Sequence, residues 1–278
     1  MEESRRRTAN DPRGTPEIIS ALRDLYLQDK DDEECAIAVL HGRGSSVEFD
    51  AAAALCRGAS QAERVLGADI LAQLGWSDRT FLEESVDILL SMLNDPDPMV
   101  IGAVGVALGH RNSARAIAPV LKQIRHPSRH VRWGAVHALS RHDDLDAVQG
   151  LIELTKDNET DIRDWATFGL AQQTTLDTPP LRDALFERTE DPDAEIRGEA
   201  LIGLAARHDQ RVLDPLAREL SGDFYGSWSL EAAKLIKSPS LCPLLASLKE
   251  RLTPEDLLAF GDQVDQAIAE CRSPPSRR

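Results

Sequence analysis

A unit of about thirty-two residues recurs at least six times along this chain. Each copy begins at an apolar residue, and the steps between successive copies are 34, 31, 31, 34 and 32 residues. Aliphatic or alanine residues follow four and eight positions after each of these anchors, which is the spacing of one face of an α-helix. The anchors are Leu66, Val100, Val131, Ile162, Ile196 and Trp228. A repeat of this length predicts a stacked array of helical hairpins.

The segments between these helices supply the first helix of each pair and the turn that follows it. Val86, Leu90 and Leu93 have helical spacing and precede the Asp-Pro-Asp-Pro turn at 95–98. Proline is disfavoured inside a helix, and aspartate caps the helix that follows. We therefore predict an all-α fold, an α-solenoid of about eight antiparallel helix pairs. The predicted spans are 16–27 with 32–41, 47–57 with 61–75, 81–94 with 97–110, 113–125 with 129–142, 144–156 with 160–173, 178–189 with 194–207, 210–220 with 225–237, and 240–252 with 254–271.

The two ends of the chain differ in composition from the repeats. Residues 1–14 and 272–278 are polar, rich in arginine and proline, and are predicted to be disordered around a single solenoid at 15–271. The polar N-terminal segment lacks the apolar core of a signal peptide, and no apolar run reaches the length of a membrane span. The four cysteines are widely spaced. These features predict a cytoplasmic protein with free thiols, no membrane contact and no cofactor.

The charge is unevenly distributed along the chain. A net charge of −15 at pH 7 argues against general nucleic-acid binding, because phosphate contacts need a basic surface. Residues 98–142, called here the basic span, contain no Asp or Glu, carry a formal charge of +7 and include five of the seven histidines. Two interpretations stay open: chance variation in surface charge, or a patch for an acidic partner or an anionic ligand.

The segment 191–205, DPDAEIRGEALIGLA, resembles a HEAT repeat, and more narrowly the phycobilisome-lyase type of HEAT-like repeat. Its marks are the Asp-Pro-Asp turn, a Val-Arg or Ile-Arg pair, and an alanine four residues after the Val or Ile. Val131-Arg132 followed by Ala135 shares the last two marks. The resemblance extends over residues 60–237. It implies a right-handed α-solenoid whose second helices line a concave surface, but no particular activity, since such repeats occur in scaffolds, lyases, hydroxylases and glycosylases.

One stripe of these second helices stands out as a candidate surface. If the anchors and the positions four and eight residues later face the core, the positions two, six and ten residues later face away from it. Only 4% of the chain is aromatic, so three aromatic residues on two adjacent helices indicate a binding surface. Packing of the tryptophan rings between repeats is the alternative. The candidate partner-binding residues are Arg132, Trp133, His137, Arg141, Asp164, Trp165 and Phe168.

The sequence nominates no catalytic residue and no metal site. His126 and His130 are four residues apart, but no carboxylate or thiol lies nearby to complete a site. Two groove enzymes of similar repeat type are kept as alternatives. Alkylpurine DNA glycosylases use Trp and Asp in a basic cleft, which Trp133, Trp165 and Asp164 resemble loosely, although the net charge opposes this function. Phycobilin lyases are suggested by the repeat type alone.

The predicted function is therefore that of an adaptor. Its concave surface would bind a protein or peptide, such as an acidic segment, with tryptophan supplying buried area and Arg132, His137 and Arg141 orienting the charge. The alternative is a groove enzyme related to the glycosylases or the phycobilin lyases.

Overall fold

The computed structural model describes residues 11–26, 34–222 and 226–272. In these residues the chain forms sixteen α-helices and four short 3₁₀ helices, and no strand. The first eight α-helices are α1 (Thr15–Tyr26), α2 (Glu34–Arg43), α3 (Ser46–Leu55), α4 (Gln61–Gln73), α5 (Leu82–Met92), α6 (Pro98–Arg111), α7 (Ile117–Leu121) and α8 (Arg129–Leu139). The others are α9 (Leu145–Leu154), α10 (Thr160–Gln172), α11 (Pro179–Arg188), α12 (Ala194–Ala206), α13 (Leu213–Ser221), α14 (Ser227–Ile236), α15 (Cys242–Arg251) and α16 (Pro254–Arg272). Each predicted helix overlaps one of these.

The chain divides between His142 and Asp143 into two compact units, a division that the sequence did not predict. Unit 1 contains α1–α8 and unit 2 contains α9–α16. Within each unit, every odd-numbered helix packs against the even-numbered helix that follows it, and successive even-numbered helices pack against one another. Each unit is thus a stack of helical hairpins. The predicted all-α fold class, an α-solenoid of antiparallel helix pairs, is confirmed.

The core of both units is the aliphatic ladder that the repeat predicted. The residues four and eight positions after every anchor are buried, and so are all the anchors except Trp228. The prediction for Trp228 is wrong, because its side chain is only half-buried while the next two residues, Ser229 and Leu230, face the core. Gly198 on α12 accommodates the ring, since a Cβ there would lie 2.7 Å from Cγ of Trp228.

The turns inside the pairs share one hydrogen bond that explains their composition. Asp95, Asp157 and Asp191 each accept, on the carboxylate, the N–H of the residue two positions later. His126 holds the same place in its own turn, where its Nδ1 accepts the N–H of Ser128 at 3.1 Å. His126 is therefore a turn residue, and its ring takes the part that a carboxylate takes in the other turns.

The arginine of the Val-Arg or Ile-Arg pair holds the turns in place. Arg132, Arg163 and Arg197 each donate to two backbone carbonyls of the preceding turn. In unit 2, Arg163 also binds the buried carboxylate of Asp191, with 3.1 Å between Nε and Oδ2. Arg197 binds Glu219 with 2.7 Å between Nε and Oε1. These charge-assisted bonds link successive repeats along one edge of the stack.

The closest helix contact in unit 1 joins α6 and α8 backbone to backbone. A Cβ on Gly105 would lie 2.5 Å from the carbonyl carbon of Gly134, and one on Gly109 would lie 2.3 Å from the carbonyl oxygen of His137. Only residues without a side chain allow this approach. It sets the ends of α6 and α8 side by side, where Arg141 donates from Nη2 to the carbonyl oxygen of Gly109 at 2.6 Å.

Several cations of the basic span are used inside unit 1. The Arg111 side chain is 1% exposed and donates to the carbonyl oxygens of Leu71 and Leu74 at the end of α4. A cation is favoured there because the C-terminal end of a helix is electronegative. Burial lowers the pKa of Arg111 to about 10. Arg115 pairs with Asp87 on α5. The basic span therefore displays less free charge than its formal total.

The ends predicted to be disordered lie mainly outside the described residues, at 1–10 and 273–278. The few residues described before α1 are attached to α2, because Arg43 donates to the carbonyl oxygens of Asp11 at 3.1 Å and Arg13 at 2.6 Å. That part of the segment is therefore held against unit 1.

Two further features are the apolarity of the helices and the state of the cysteines. In the described ranges, no helix is both long enough and apolar enough to cross a membrane. Cys56 and Cys271 are buried free thiols, and burial raises the pKa of Cys56 to about 12 and that of Cys271 to about 11. Thiols held in the protonated form in this way are poor nucleophiles.

Candidate functional site

In unit 1 the candidate residues lie on α8 and directly after it. The rings of Trp133 and His137, four residues apart on the helix, meet edge to face with 4.7 Å between their centroids. Both side chains are half-buried, whereas Arg141 is exposed. The structure thus brings Trp133, His137 and Arg141 together, with Trp133 partly packed against its own helix.

A further histidine, His110 near the end of α6, lies close enough to this group to affect its electrostatics. Burial, the nearby His110 and Arg141 lower the pKa of His137 to about 4. Burial and Arg141 also lower the pKa of His110. Both imidazoles are therefore largely neutral at pH 7, and Arg141 is the permanent charge of the group.

Arg132 does not belong to this surface. Its side chain is 8% exposed and donates from Nη1 to the carbonyl oxygens of His126 at 2.9 Å and Pro127 at 3.1 Å. A guanidinium buried against its own turn is not displayed to a partner. The expectation that Arg132 orients a partner is therefore corrected to a role in packing.

In unit 2 the candidate residues lie on α10. Trp165 is 37% exposed, and its ring meets that of Phe168 edge to face, with 5.7 Å between the centroids and an interplanar angle of 88°. Asp164 and Phe168 are half-buried. Two aromatic side chains and one carboxylate therefore lie within five residues of one another on α10, and the carboxylate of Asp164 lies near Glu195 and Glu199 of α12.

A second carboxylate, Glu199 on α12, completes this group. Burial, together with the negative charges of Glu199 and Glu195, raises the pKa of Asp164 to about 6. Burial also raises the pKa of Glu199, which accepts hydrogen bonds from Gln172 on α10 and from the indole Nε1 of Trp228 on α14. Two partly desolvated carboxylates thus share one surface with three aromatic rings.

The candidate partner-binding residues predicted from the sequence did not include Glu199, Gln172 or Trp228. Trp228 was placed in the core because it has the right spacing for an anchor. Gln172 lies ten positions after the anchor Ile162, on the predicted stripe. Glu199 lies one position beyond a stripe that contains Gly198, and that glycine was the available signal. A missing side chain on one helix leaves space for a large one from the next.

Two surfaces are named from these contacts. The unit-1 face comprises His110, Trp133, His137 and Arg141, and the unit-2 face comprises Asp164, Trp165, Phe168, Gln172, Glu199 and Trp228. Both lie on even-numbered helices or directly after them. The unit-1 face carries imidazoles and a cation, and the unit-2 face carries carboxylates.

Neither face has the composition of a metal centre. Within the residues that the structure describes, no group of three or more His, Cys, Asp or Glu side chains is arranged to hold a metal ion. The Glu199 carboxylate of the unit-2 face accepts hydrogen bonds from two neutral donors, Gln172 and the indole of Trp228. Such a surface can bind a cationic group by charge and by ring contact.

Part of this chain matches a known family of repeat proteins. The profile of the HEAT-repeat family matches residues 86–171. This segment consists of HEAT repeats. The predicted resemblance is thereby confirmed, and the Val-Arg and Ile-Arg pairs at Arg132 and Arg163 fall within the matched HEAT segment.

Similarity to known proteins also extends beyond that segment. The chain is 29% identical over 228 residues to Protein YibA of Escherichia coli K12. The aligned region covers 79% of this chain and 80% of YibA. An X-ray structure of YibA matches the fold with a TM-score of 0.72 at 24% identity, over 95% of this chain and 99% of that one. The complex of CpcE and CpcF of phycocyanin lyase from Nostoc sp. PCC7120 gives a TM-score of 0.45 at 19% identity, over 94% of this chain and 95% of that one.

Proposed function

We propose that this HEAT-repeat protein is an adaptor that binds a protein or a peptide on the exposed side of its even-numbered helices. The observation that carries the proposal is the exposure of aromatic rings on that side. Trp165 is 37% exposed beside Phe168, whereas the cores of both units are filled by aliphatic side chains and alanine. Tryptophan is among the residues most enriched in the energetic centres of interfaces, where its large ring is removed from water.

Rigidity of the helix layer supports the same proposal. The even-numbered helices α6 and α8 are joined by backbone contact at Gly105 and Gly109 in unit 1. In unit 2, Arg163 ties α10 to the turn before α12, and Arg197 ties α12 to α13. Side chains mounted on such helices lose little conformational entropy when a partner binds. Free energy from buried aromatic area is then available for affinity.

The charge of the partner depends on which face it meets. The predicted acidic segment suits the unit-1 face, where Arg141 is the exposed cation and His137 would gain charge beside a carboxylate. The unit-2 face has the opposite sign, because Asp164 and Glu199 lie on it. A partner of mixed charge, or two separate partners, therefore fits better than a uniformly acidic one.

The surroundings of Asp164 weigh against the glycosylase alternative. Such an enzyme needs a basic cleft for the DNA backbone, whereas Glu195 and Glu199 face this carboxylate. The nearby Arg163 is bound to Asp191 and to its own turn. The lyase alternative gains no supporting observation from the contacts of either face. Binding of a protein or peptide remains the better-supported function, in the cytoplasm as the sequence predicts.

The proposal is tested by panning a library of short random peptides on the purified protein and titrating the recovered peptides by calorimetry. Substitution of a central interface tryptophan costs about 2 kcal/mol, which is about a 30-fold loss of affinity. We expect a loss of this size for Trp165→Ala or Trp133→Ala, according to the face that a peptide occupies, with an unchanged helical circular dichroism spectrum.

Phe186→Ala is the matched control for these titrations. Phe186 on α11 is also 37% exposed, but it lies outside both faces and is covered by the guanidinium of Arg211, 5.2 Å from the ring centroid. Peptides that bind the wild type and all three variants equally would contradict the proposal. Loss of helicity in Trp133→Ala would instead identify Trp133 as a packing residue.

A further inference from the structure

We propose that the unit-2 face binds a basic segment by taking an arginine side chain between its aromatic rings and its two carboxylates. This inference rests on the proposed binding function and specifies the chemistry of one partner. It also reverses, for this face, the acidic partner expected from the sequence.

The carboxylates of the unit-2 face differ from the other acidic groups around the same helices. Asp191, in the turn before α12, pairs with Arg163, and Glu219 on α13 pairs with Arg197. Asp164 and Glu199 take part in no ion pair with any residue that the structure describes. Arg163 and Arg197, the arginines next to Asp164 and two residues before Glu199, are bonded to carbonyl oxygens of the preceding turns.

This arrangement leaves two partly buried negative charges next to each other without a counter-ion. Glu199 is held by neutral donors, Gln172 and the indole of Trp228, which fix the carboxylate without neutralising it. Asp164 faces Glu199 and Glu195 across the contact between α10 and α12. A charge that is both desolvated and repelled is stabilised strongly by an incoming cation. The face is therefore complementary to a positive group.

The aromatic rings are an independent observation that points to the same class of ligand. Trp165 and Phe168 are perpendicular on α10, and the exposed Trp165 follows Asp164 directly in the chain. Trp228 reaches the other carboxylate from α14, seated on Gly198. Ring faces attract cations, and tryptophan does so most strongly. Both rings and charges thus favour a cationic side chain over an anionic or a neutral one.

Arginine fits this combination better than lysine does. Its guanidinium is planar, stacks on aromatic faces and presents parallel N–H donors that match a carboxylate in two-point contact. Its aliphatic stem can cover the exposed part of Trp165 while the head reaches Asp164 or Glu199. A lysine would supply charge without the planar contact, so we expect it to bind the same face more weakly.

The experiment uses peptides recovered from the library that lose affinity for Trp165→Ala. We expect these peptides to be enriched in arginine and depleted in Asp and Glu. Replacing the arginine of such a peptide by citrulline keeps the shape and removes the charge, and this change should weaken binding by about 10-fold or more. Asp164→Asn and Glu199→Gln in the protein should weaken binding by similar factors.

Thermal unfolding separates a binding role from a structural one. Because Asp164 and Glu199 repel each other when no ligand is present, Asp164→Asn and Glu199→Gln should leave the melting temperature unchanged or raise it while they weaken binding. Glu190→Gln is the control, since Glu190 is an exposed carboxylate paired with Arg218 outside the face. This variant should bind as the wild type does.

The outcomes distinguish the inference from the proposed function. If peptides depend on Trp165 but contain no basic residue, or bind equally to citrulline-substituted forms and to Asp164→Asn, this inference is overturned and peptide binding stands. If only Trp133-dependent peptides appear, the inference is likewise overturned. If no peptide depends on either tryptophan, both the inference and the proposed function fail.

Discussion

The unit-1 and unit-2 faces occupy equivalent places on the even-numbered helices and differ in almost every chemical property. On the unit-1 face, Trp133 packs against His137 and Arg141 is bonded to the carbonyl of Gly109. On the unit-2 face, Trp165 is exposed and Asp164 has no counter-ion in the described residues. The repeat constrains the side of each helix that faces the core and leaves the other side free to vary. The residues on the side of each helix that faces away from the core are therefore expected to determine function in this architecture.

The largest expected effect on the free energy of unfolding comes from replacing a paired carboxylate of unit 2, in contrast to an unpaired one. Asp191 is buried and binds both Arg163 and Arg188, so Asp191→Asn leaves two cations without their counter-ion. We expect a loss of about 3 kcal/mol in the free energy of unfolding, measured by urea denaturation. The same chemical change at Asp164 should cost nothing. Equal destabilisation by both variants would show that Asp164 is also a structural carboxylate.

The next effect concerns the helix contact beneath the unit-1 face. Gly105→Ala would place a Cβ 2.5 Å from the backbone of Gly134, so α6 and α8 would have to separate. We expect a loss of about 2 kcal/mol by the same denaturation measurement. Gly261→Ala on α16 is the control, because its Cβ would meet only Leu257 at 3.7 Å, an ordinary contact. Alanine there should stabilise the helix by about 0.5–1 kcal/mol, and destabilisation by both variants would contradict the close approach.

Mild acid should act on the two units in opposite directions. The pKa values of His41 and His137 in unit 1 are lowered from 6.5 to about 4, mainly by burial, so their stabilising contribution is present above the unfolded value. It is lost as the pH falls from about 6.5 towards about 4, because the unfolded chain binds the protons first. Each histidine should cost unit 1 about 2 kcal/mol at about pH 5.

Mild acid should instead stabilise unit 2, because the pKa of Asp164 is raised from 3.8 to about 6. Protonation of the folded state relieves repulsion, so unit 2 gains about 1 kcal/mol as the pH falls to about 5. Hydrogen exchange followed by mass spectrometry, corrected for intrinsic rates, reports the two units separately. His137→Gln and Asp164→Asn should each remove the corresponding effect. Parallel destabilisation of both units over this pH range would contradict the assignment.

The smallest expected effect is the difference in the free energy of unfolding lost when each of the two tryptophans is replaced by alanine. Trp165 is exposed, and Trp165→Ala should change the free energy of unfolding by less than about 0.5 kcal/mol. Trp133 is half-buried against His137, and Trp133→Ala should cost about 1 kcal/mol more. Thermal melts of the two variants measure the difference. A larger cost at Trp165 than at Trp133 would reverse the contrast drawn between the faces.

The core could be predicted from the sequence because burial imposes a period. Residues such as Ile70, Val104 and Ala166 recur at fixed spacing, and they are buried as expected. The same rule failed at Trp228, whose place depends on the absence of a side chain at Gly198 on the neighbouring helix. Spacing along one helix does not reveal what the next helix leaves open.

Charged residues of the site were harder to place for a related reason. Arg132 and Arg111 look like surface cations in the sequence, yet both are buried on backbone carbonyls whose positions depend on the fold. The Trp133, Trp165 and Phe168 positions were found because rare aromatic residues on an outward stripe are visible without coordinates. Glu199 gained significance only from its contacts with Gln172 and Trp228. Composition therefore indicated which helices matter, and contacts were needed to define the surface.

The central claim is that the unit-2 face is a binding surface for a cationic side chain. It is tested most directly by hydroxyl-radical footprinting of the wild type with and without an arginine-containing peptide from the selection. The account predicts that oxidation of Trp165 and Phe168 falls on peptide binding while oxidation of Phe186, equally exposed on α11, stays unchanged. Protection of Phe186 with Trp165 still fully reactive would place the partner on the other helix layer and contradict the account.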